Sequence, residues 1–188
     1  RAFGSRADAA RRGNLPVDQL LDSVGADAPT AFARFTTAAG LSGWKPPTLR
    51  TTAGRCAAAA QGPAAWCPDD NAVVVDRAAV AQMEHEFGDF AGAALIASRY
   101  GLATLEALRK PSTGAGAICM AGAYTGGLLS ANGTFTLSPG DLDEAVEVLL
   151  AQDWAARDAA GAGAPPPHGH GRHRLFPQGG RGGPPARP

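Results

Sequence analysis

The sequence predicts a mainly α domain of the α+β class, with one small β element. Two observations lead there. Most stretches with a clear apolar period repeat at three and four residues, the spacing of one helix face. A single β-branched run, Val73-Val74-Val75, is bounded by Asn71 and Asp76 and reads as a strand.

In chain order, Asn14-Leu15-Pro16-Val17-Asp18 opens a helix with Leu20, Leu21 and Val24 on one face, and Gly25 is expected to stop it. A second helix is expected from Asp27-Ala28-Pro29-Thr30, carrying Phe32, Phe35 and Ala39 and closed by Gly40. Residues 45–66 hold Pro46, Pro47, Gly54, Gly62 and Pro63 and read as irregular. Cys67 to Asn71 is turn chemistry leading into the Val73–Val75 strand. Asp76 is placed to cap a helix with Val80, Met83 and Phe87 as its apolar face, ended by Gly88. Asp89 is expected to cap the next helix, which carries Phe90, Ala94, Ala97, Gly101 and Leu105 and runs toward Pro111. So many Ala and Gly residues imply a helix packed closely by its neighbours. A further small-residue helix is expected over Ile118 to Leu129, then a turn at Asn132-Gly133. Ser138 or Asp141 then caps a last helix whose buried stripe is Leu142, Val146, Leu149 and Leu150.

These elements give one domain over residues 14–160, with a flexible basic lead at 1–13. Residues 161–188, rich in Gly, Pro, Arg and His, read as a disordered tail. The 188 residues carry 17 basic and 17 acidic side chains, so net charge is zero. Nucleic-acid and anionic-membrane binders ordinarily carry a basic excess, so neither partner is expected. No run approaches the roughly 18 apolar residues of a membrane span. The absence of an initiator Met is expected of a processed chain or a fragment. Cys56 and Cys67 flank a Gly/Pro/Ala loop. Spacing alone leaves two readings open: a disulfide-closed loop in an exported protein, or reduced buried thiols.

Few side chains are arranged for chemistry. His85-Glu86-Phe87-Gly88-Asp89 superficially resembles a His-Glu-x-x-His zinc helix with Asp as last ligand. A helix break at Gly88 would point the two end residues apart, so an exposed helix end is expected instead. His168, His170 and His173 lie among glycines, where ordering a metal site costs too much entropy. Gly114 and Gly116 lack a preceding strand and a third glycine for a dinucleotide loop.

Four stretches in order resemble one family. The run Trp66-Cys67-Pro68-Asp69-Asp70-Asn71-Ala72-Val73-Val74-Val75-Asp76 resembles the Phe-Tyr-Cys-Pro-x-Asp-x-x-Val-Tyr-Leu-Asp signature of the neutral zinc metallopeptidases, a bacterial zincin-like family. Phe87-Gly88-Asp89-Phe90 is similar to that family's lead into its catalytic helix, and Cys119-Met120-Ala121-Gly122 to its Cys-Phe-Ala-Gly segment. Leu137 to Ala145 is similar to its Leu-x-Pro-Gly-Asp-Leu-x-Glu-Ala helix start. The resemblance covers about residues 50–155. It implies a zincin-like helical domain and places Cys119 on a packed helix, where a buried thiol is inert.

In that register the family's Ala-His-Glu-x-Gly-His helix falls on Ala97-Ser98-Arg99-Tyr100-Gly101-Leu102. Ser98 and Leu102 stand where the family has histidine ligands, Arg99 where it has the water-activating Glu, and Gly114 where it has the third ligand. Zinc catalysis needs three protein donors and a water. A guanidinium puts a permanent positive charge where the cation would sit. The resemblance therefore implies a degenerate site without metal or cofactor in an exported, non-catalytic domain closed by Cys56 and Cys67. Its partner is expected to be a peptide or protein, held in the old cleft lined by Ser98, Arg99, Leu102 and Gly114. Arg99 is suited either to a peptide carboxylate or to an ion pair with Glu106 or Asp89. The alternative is an active zinc metallopeptidase using unconventional ligands such as His85, Asp89 or the tail histidines.

Overall fold

The computed structural model describes residues 16–52, 54, 56, 62–130, 137 and 139–151. The lead at 1–13, the Asn132-Gly133 turn, Ser138 and the 161–188 tail with its histidines lie outside these residues. The described chain is mainly helical with a three-stranded sheet, in the order α1 (Val17–Ala38), β1 (Thr48–Arg50), β2 (Ala64–Cys67), β3 (Ala72–Val75), α2 (Arg77–Phe87), α3 (Asp89–Ala107), α4 (Gly114–Ser130) and α5 (Pro139–Ala151).

Helix α1 corrects the expectation of two helices. It runs unbroken for 22 residues through Gly25 and Pro29. An internal proline removes one helix hydrogen bond and crowds the carbonyl four residues back, at a cost of about 3 kcal/mol. That carbonyl belongs to Gly25. What outweighs both breakers is a stripe at every fourth residue, Leu20, Val24, Ala28, Phe32 and Thr36, all buried. Each large apolar side chain so buried contributes about 1.5–3 kcal/mol. Gly40, with φ +88°, lies just past the end, as expected.

The Val73–Val75 strand is the middle of the sheet, whose order is β1-β3-β2. It pairs parallel with β1 (Leu49 opposite Val73) and antiparallel with β2 (Trp66 opposite Val73). Strands β1 and β2 occupy the stretch that reads as irregular. A one-turn 3-10 helix at Pro68–Asp70 reverses the chain between β2 and β3, with Asn71 in the left-handed region. Cys56 and Cys67 form a disulfide, with Cα atoms 5.6 Å apart. It ties the loop before β2 to the end of that strand.

Asp76 caps α2 as predicted, its Oδ1 accepting from the Ala78 and Ala79 amides. Gly88, at φ +112°, separates α2 from α3. Gly88 itself is the N-cap residue of α3, and Asp89 lies in the first turn rather than capping it. In α3, residues 90–104 are buried without interruption. An all-round apolar helix is a central one, and α1, α2, α4 and α5 pack around it.

Closest of these is α4. A Cβ on Gly101 would stand 2.6 Å from Met120 Cβ and 3.3 Å from the Ala117 carbonyl oxygen. Position 101 must therefore lack a side chain for the two helices to meet. An aromatic stack fastens α1 to the pair: Phe32 lies nearly parallel to Tyr100 and Tyr124, with ring centroids 5.7 and 5.6 Å away. On α5, Ala145, Val148 and Leu149 are buried while Val146 and Leu150 are 56% and 64% exposed, which corrects the expected stripe.

Gly101→Ala gains helix propensity yet forces α3 and α4 apart. We expect a net loss of about 1–3 kcal/mol in urea unfolding, whereas the same change at Gly122, where an added Cβ meets nothing within 4 Å, should leave stability level or raised.

Candidate functional site

The four positions singled out by the sequence lie on the inner part of α3 and at the start of α4. Ser98 and Leu102 are one helical turn apart and share a face. Both are fully buried, and Arg99 is only 3% exposed. Gly114 is buried at the first position of α4. The Ser112 hydroxyl donates to the Leu102 carbonyl at 2.9 Å, so the lead into α4 is held beside Leu102.

The polar groups here are turned toward the protein. Ser98 Oγ donates to the Leu95 carbonyl at 2.6 Å and accepts from Arg99 Nε at 3.0 Å. The guanidinium is thus held inside the fold, where the expectation was an open cleft. Glu106, one candidate partner for Arg99, accepts the Trp66 indole N–H at 2.9 Å and so ties β2 to the end of α3. Serine hydroxyl, guanidinium, isobutyl and bare backbone can hold a protein interior together. They offer no set of three metal donors.

Other expected groups are dispersed. His85 is exposed near the end of α2, whereas Asp89 opens α3 across the Gly88 break. Among the described residues no three His, Cys, Asp or Glu side chains are grouped to hold a metal ion. Cys119 is free and exposed on α4, contrary to the buried thiol implied by the resemblance.

The sequence did not reveal a corner of carboxylates where α2, α3 and α5 meet. Glu144, from α5, accepts the Phe90 amide at 3.0 Å, placing a negative charge at the N-terminus of α3. A Cβ at Gly88 would collide with that carboxylate, 2.0 Å from its Cδ. Glu84, on α2, is 3% exposed, and its Oε1 has no hydrogen-bond partner among the described residues. Burial, and then the neighbouring Asp89 carboxylate, push the Glu84 carboxyl up to about 7. Polar hydroxyls are also buried between the helices. Burial, and secondarily Asp27, push the Tyr124 hydroxyl well above the ordinary phenol range.

No protein family, curated protein or solved structure matches this chain when sequence and fold are compared.

The fold favours protonated Glu84, because the neutral carboxyl is cheaper to bury. Below the ordinary carboxylate range folded and unfolded chains both hold the proton, and this contribution is fully present. As pH rises from there through about 7, the unfolded chain releases its proton first, so stability falls. Glu84→Gln should remove that decline, leaving the variant more stable than the parent at pH 8 and close to it at pH 4.5. Urea unfolding midpoints across that range would show it.

Proposed function

We propose that this chain is a non-catalytic, metallopeptidase-like domain that binds a peptide or protein partner. One observation carries the reading: where the resembled family has its donors, α3 and the start of α4 present Ser98, Arg99, Leu102 and Gly114. Losing one donor would alter a metal site. Replacing every one with a group that packs or hydrogen-bonds inward leaves a scaffold. The close approach at Gly101 supports this, since the glycine of the family motif is retained at the α3–α4 contact.

A domain of this kind works by presenting surfaces, because its former centre is filled by its own side chains. Export accords with the Cys56–Cys67 disulfide, since such bonds persist in oxidising compartments. No described helix is long and apolar enough to cross a membrane.

The reading is tested by rebuilding the lost chemistry. Ser98→His, Arg99→Glu, Leu102→His and Gly114→Glu together restore the three ligands and the base. If α3 and the start of α4 descend from a zinc site, the folded variant takes up one zinc per chain with an affinity at least about a hundredfold above the parent's. Zinc titration by calorimetry measures it, with Arg99→Glu alone as the control. A folded quadruple variant that binds zinc no better than the parent overturns the reading.

A further inference from the structure

Strand β1 is an edge strand with a groove beside it. In a parallel ladder, alternate residues direct both backbone groups to the same neighbour. The Thr48 amide donates to the Asn71 carbonyl at 3.0 Å, so Thr48 and Arg50 face β3. The N–H and C=O of Leu49 therefore point to the open edge, with no partner among the described residues. On that side lies a groove of about 770 Å³ between α1 and residues 46–52. A second groove of about 610 Å³ continues it along α1, the two sharing Pro29 and Pro46.

The charges along this groove are bipolar. Asp18 and Arg50, which also line it, are already matched: Asp18 takes two hydrogen bonds from Arg77, and Arg50 pairs with Asp70. Two exposed charges remain. Asp22 lies at the Thr51–Thr52 end and Arg34 at the Pro46 end. Neither makes an ion pair or side-chain hydrogen bond among the described residues. Twelve residues of helix separate them by about 18 Å along the axis, which six steps of extended chain span at about 3.3 Å each.

We propose that this groove takes an extended peptide, added antiparallel to β1 as a fourth strand, with a basic side chain at Asp22 and a carboxylate at Arg34. The Leu49 backbone supplies the pairing groups; antiparallel pairing is the more stable per residue, and in that direction the two charges set the order of the peptide's charged residues. Because β1 runs from the Arg34 end toward the Asp22 end, an antiparallel strand begins at Asp22 with its basic residue. A carboxylate follows six positions later, since alternate residues of a strand share a face and both charges belong to α1. The site goes beyond the scaffold reading: it includes none of Ser98, Arg99, Leu102 or Gly114, and it lies on the far edge of the sheet from β2.

The test uses the full chain and two fluorescein-labelled, end-blocked heptapeptides, Lys-Thr-Val-Thr-Val-Thr-Glu and its reversed sequence, read by fluorescence anisotropy. The Lys-first peptide should bind at least about tenfold tighter than its reverse. Leu49→Pro removes an outward amide that β3 does not use, and Leu49→Ala, which gives up the same packing on α1 but keeps the amide, is its control; the proline should weaken the Lys-first peptide by about tenfold relative to the alanine. The paired change Asp22→Lys with Arg34→Glu should invert the preference between the peptides, a result that unfolding cannot imitate. No saturable binding, equal binding of the two peptides, or binding untouched by these variants overturns the proposal. Binding that survives all of them places the peptide elsewhere and leaves the scaffold reading standing, since that reading falls on zinc uptake alone.

Discussion

Everything in this fold leans on the exclusion of solvent from α3. A helix buried continuously from Phe90 to Thr104 has no free face. Each neighbour is therefore specified by what it must cover. Gly101 sets the distance to α4, the Phe32–Tyr100–Tyr124 stack sets the place of α1, and the Trp66–Glu106 hydrogen bond draws β2 to the helix end. The same constraint explains why polar residues at the middle of α3 turn inward. With no water within reach, Ser98 satisfies its hydroxyl on the Leu95 carbonyl and gives its lone pair to Arg99.

The cost of burying so much chain shows at the α2–α3 corner. Gly88 takes a backbone conformation that an L side chain resists, and the room so made is filled by the Glu144 carboxylate on the Phe90 amide. That contact anchors α5, which otherwise leaves Val146 and Leu150 to solvent. It also concentrates acidic groups, and Glu84, with an oxygen unpartnered among the described residues, has its carboxyl pushed up to about 7 by burial and by Asp89. The arrangement fixes the end of one helix at the expense of a carboxyl that would rather remain protonated.

How much of this the sequence disclosed depends on the range of the forces involved. Local signals were dependable: Asp76 capped its helix, Gly40 lay past one, and three valines made a strand. Gly25 and Pro29 are equally local breakers, yet the long-range burial of Leu20, Val24, Ala28 and Phe32 on α3 overrides them. Strands β1 and β2 were illegible because Thr-Leu-Arg and Ala-Ala-Trp-Cys become strands only by pairing with β3. On α5 the apolar residues were visible, but which face meets α3 was not. As for the site, Ser98, Arg99, Leu102 and Gly114 came from motif order and not from periodicity. Their shared burial then follows from the helices and strands packed around α3. Glu84 and Glu144 gave no signal, since the Asp89 neighbour of Glu84 lies across the turn at Gly88 and Glu144 reaches the Phe90 amide from a helix some fifty residues away.

The picture that results is of an interior in which Ser98 and Arg99 bond to neighbours within the fold, Leu102 is fully buried, and no three His, Cys, Asp or Glu side chains are grouped among the described residues. Its central claim concerns the face shared by Ser98 and Leu102. The most direct test is a zinc titration of the unaltered chain followed by amide NMR at Ser98, Arg99, Leu102 and Gly114. The account predicts that none of these resonances shifts through the first equivalent of zinc. Saturable, simultaneous shifts at these four positions, complete at one zinc per chain, would contradict it.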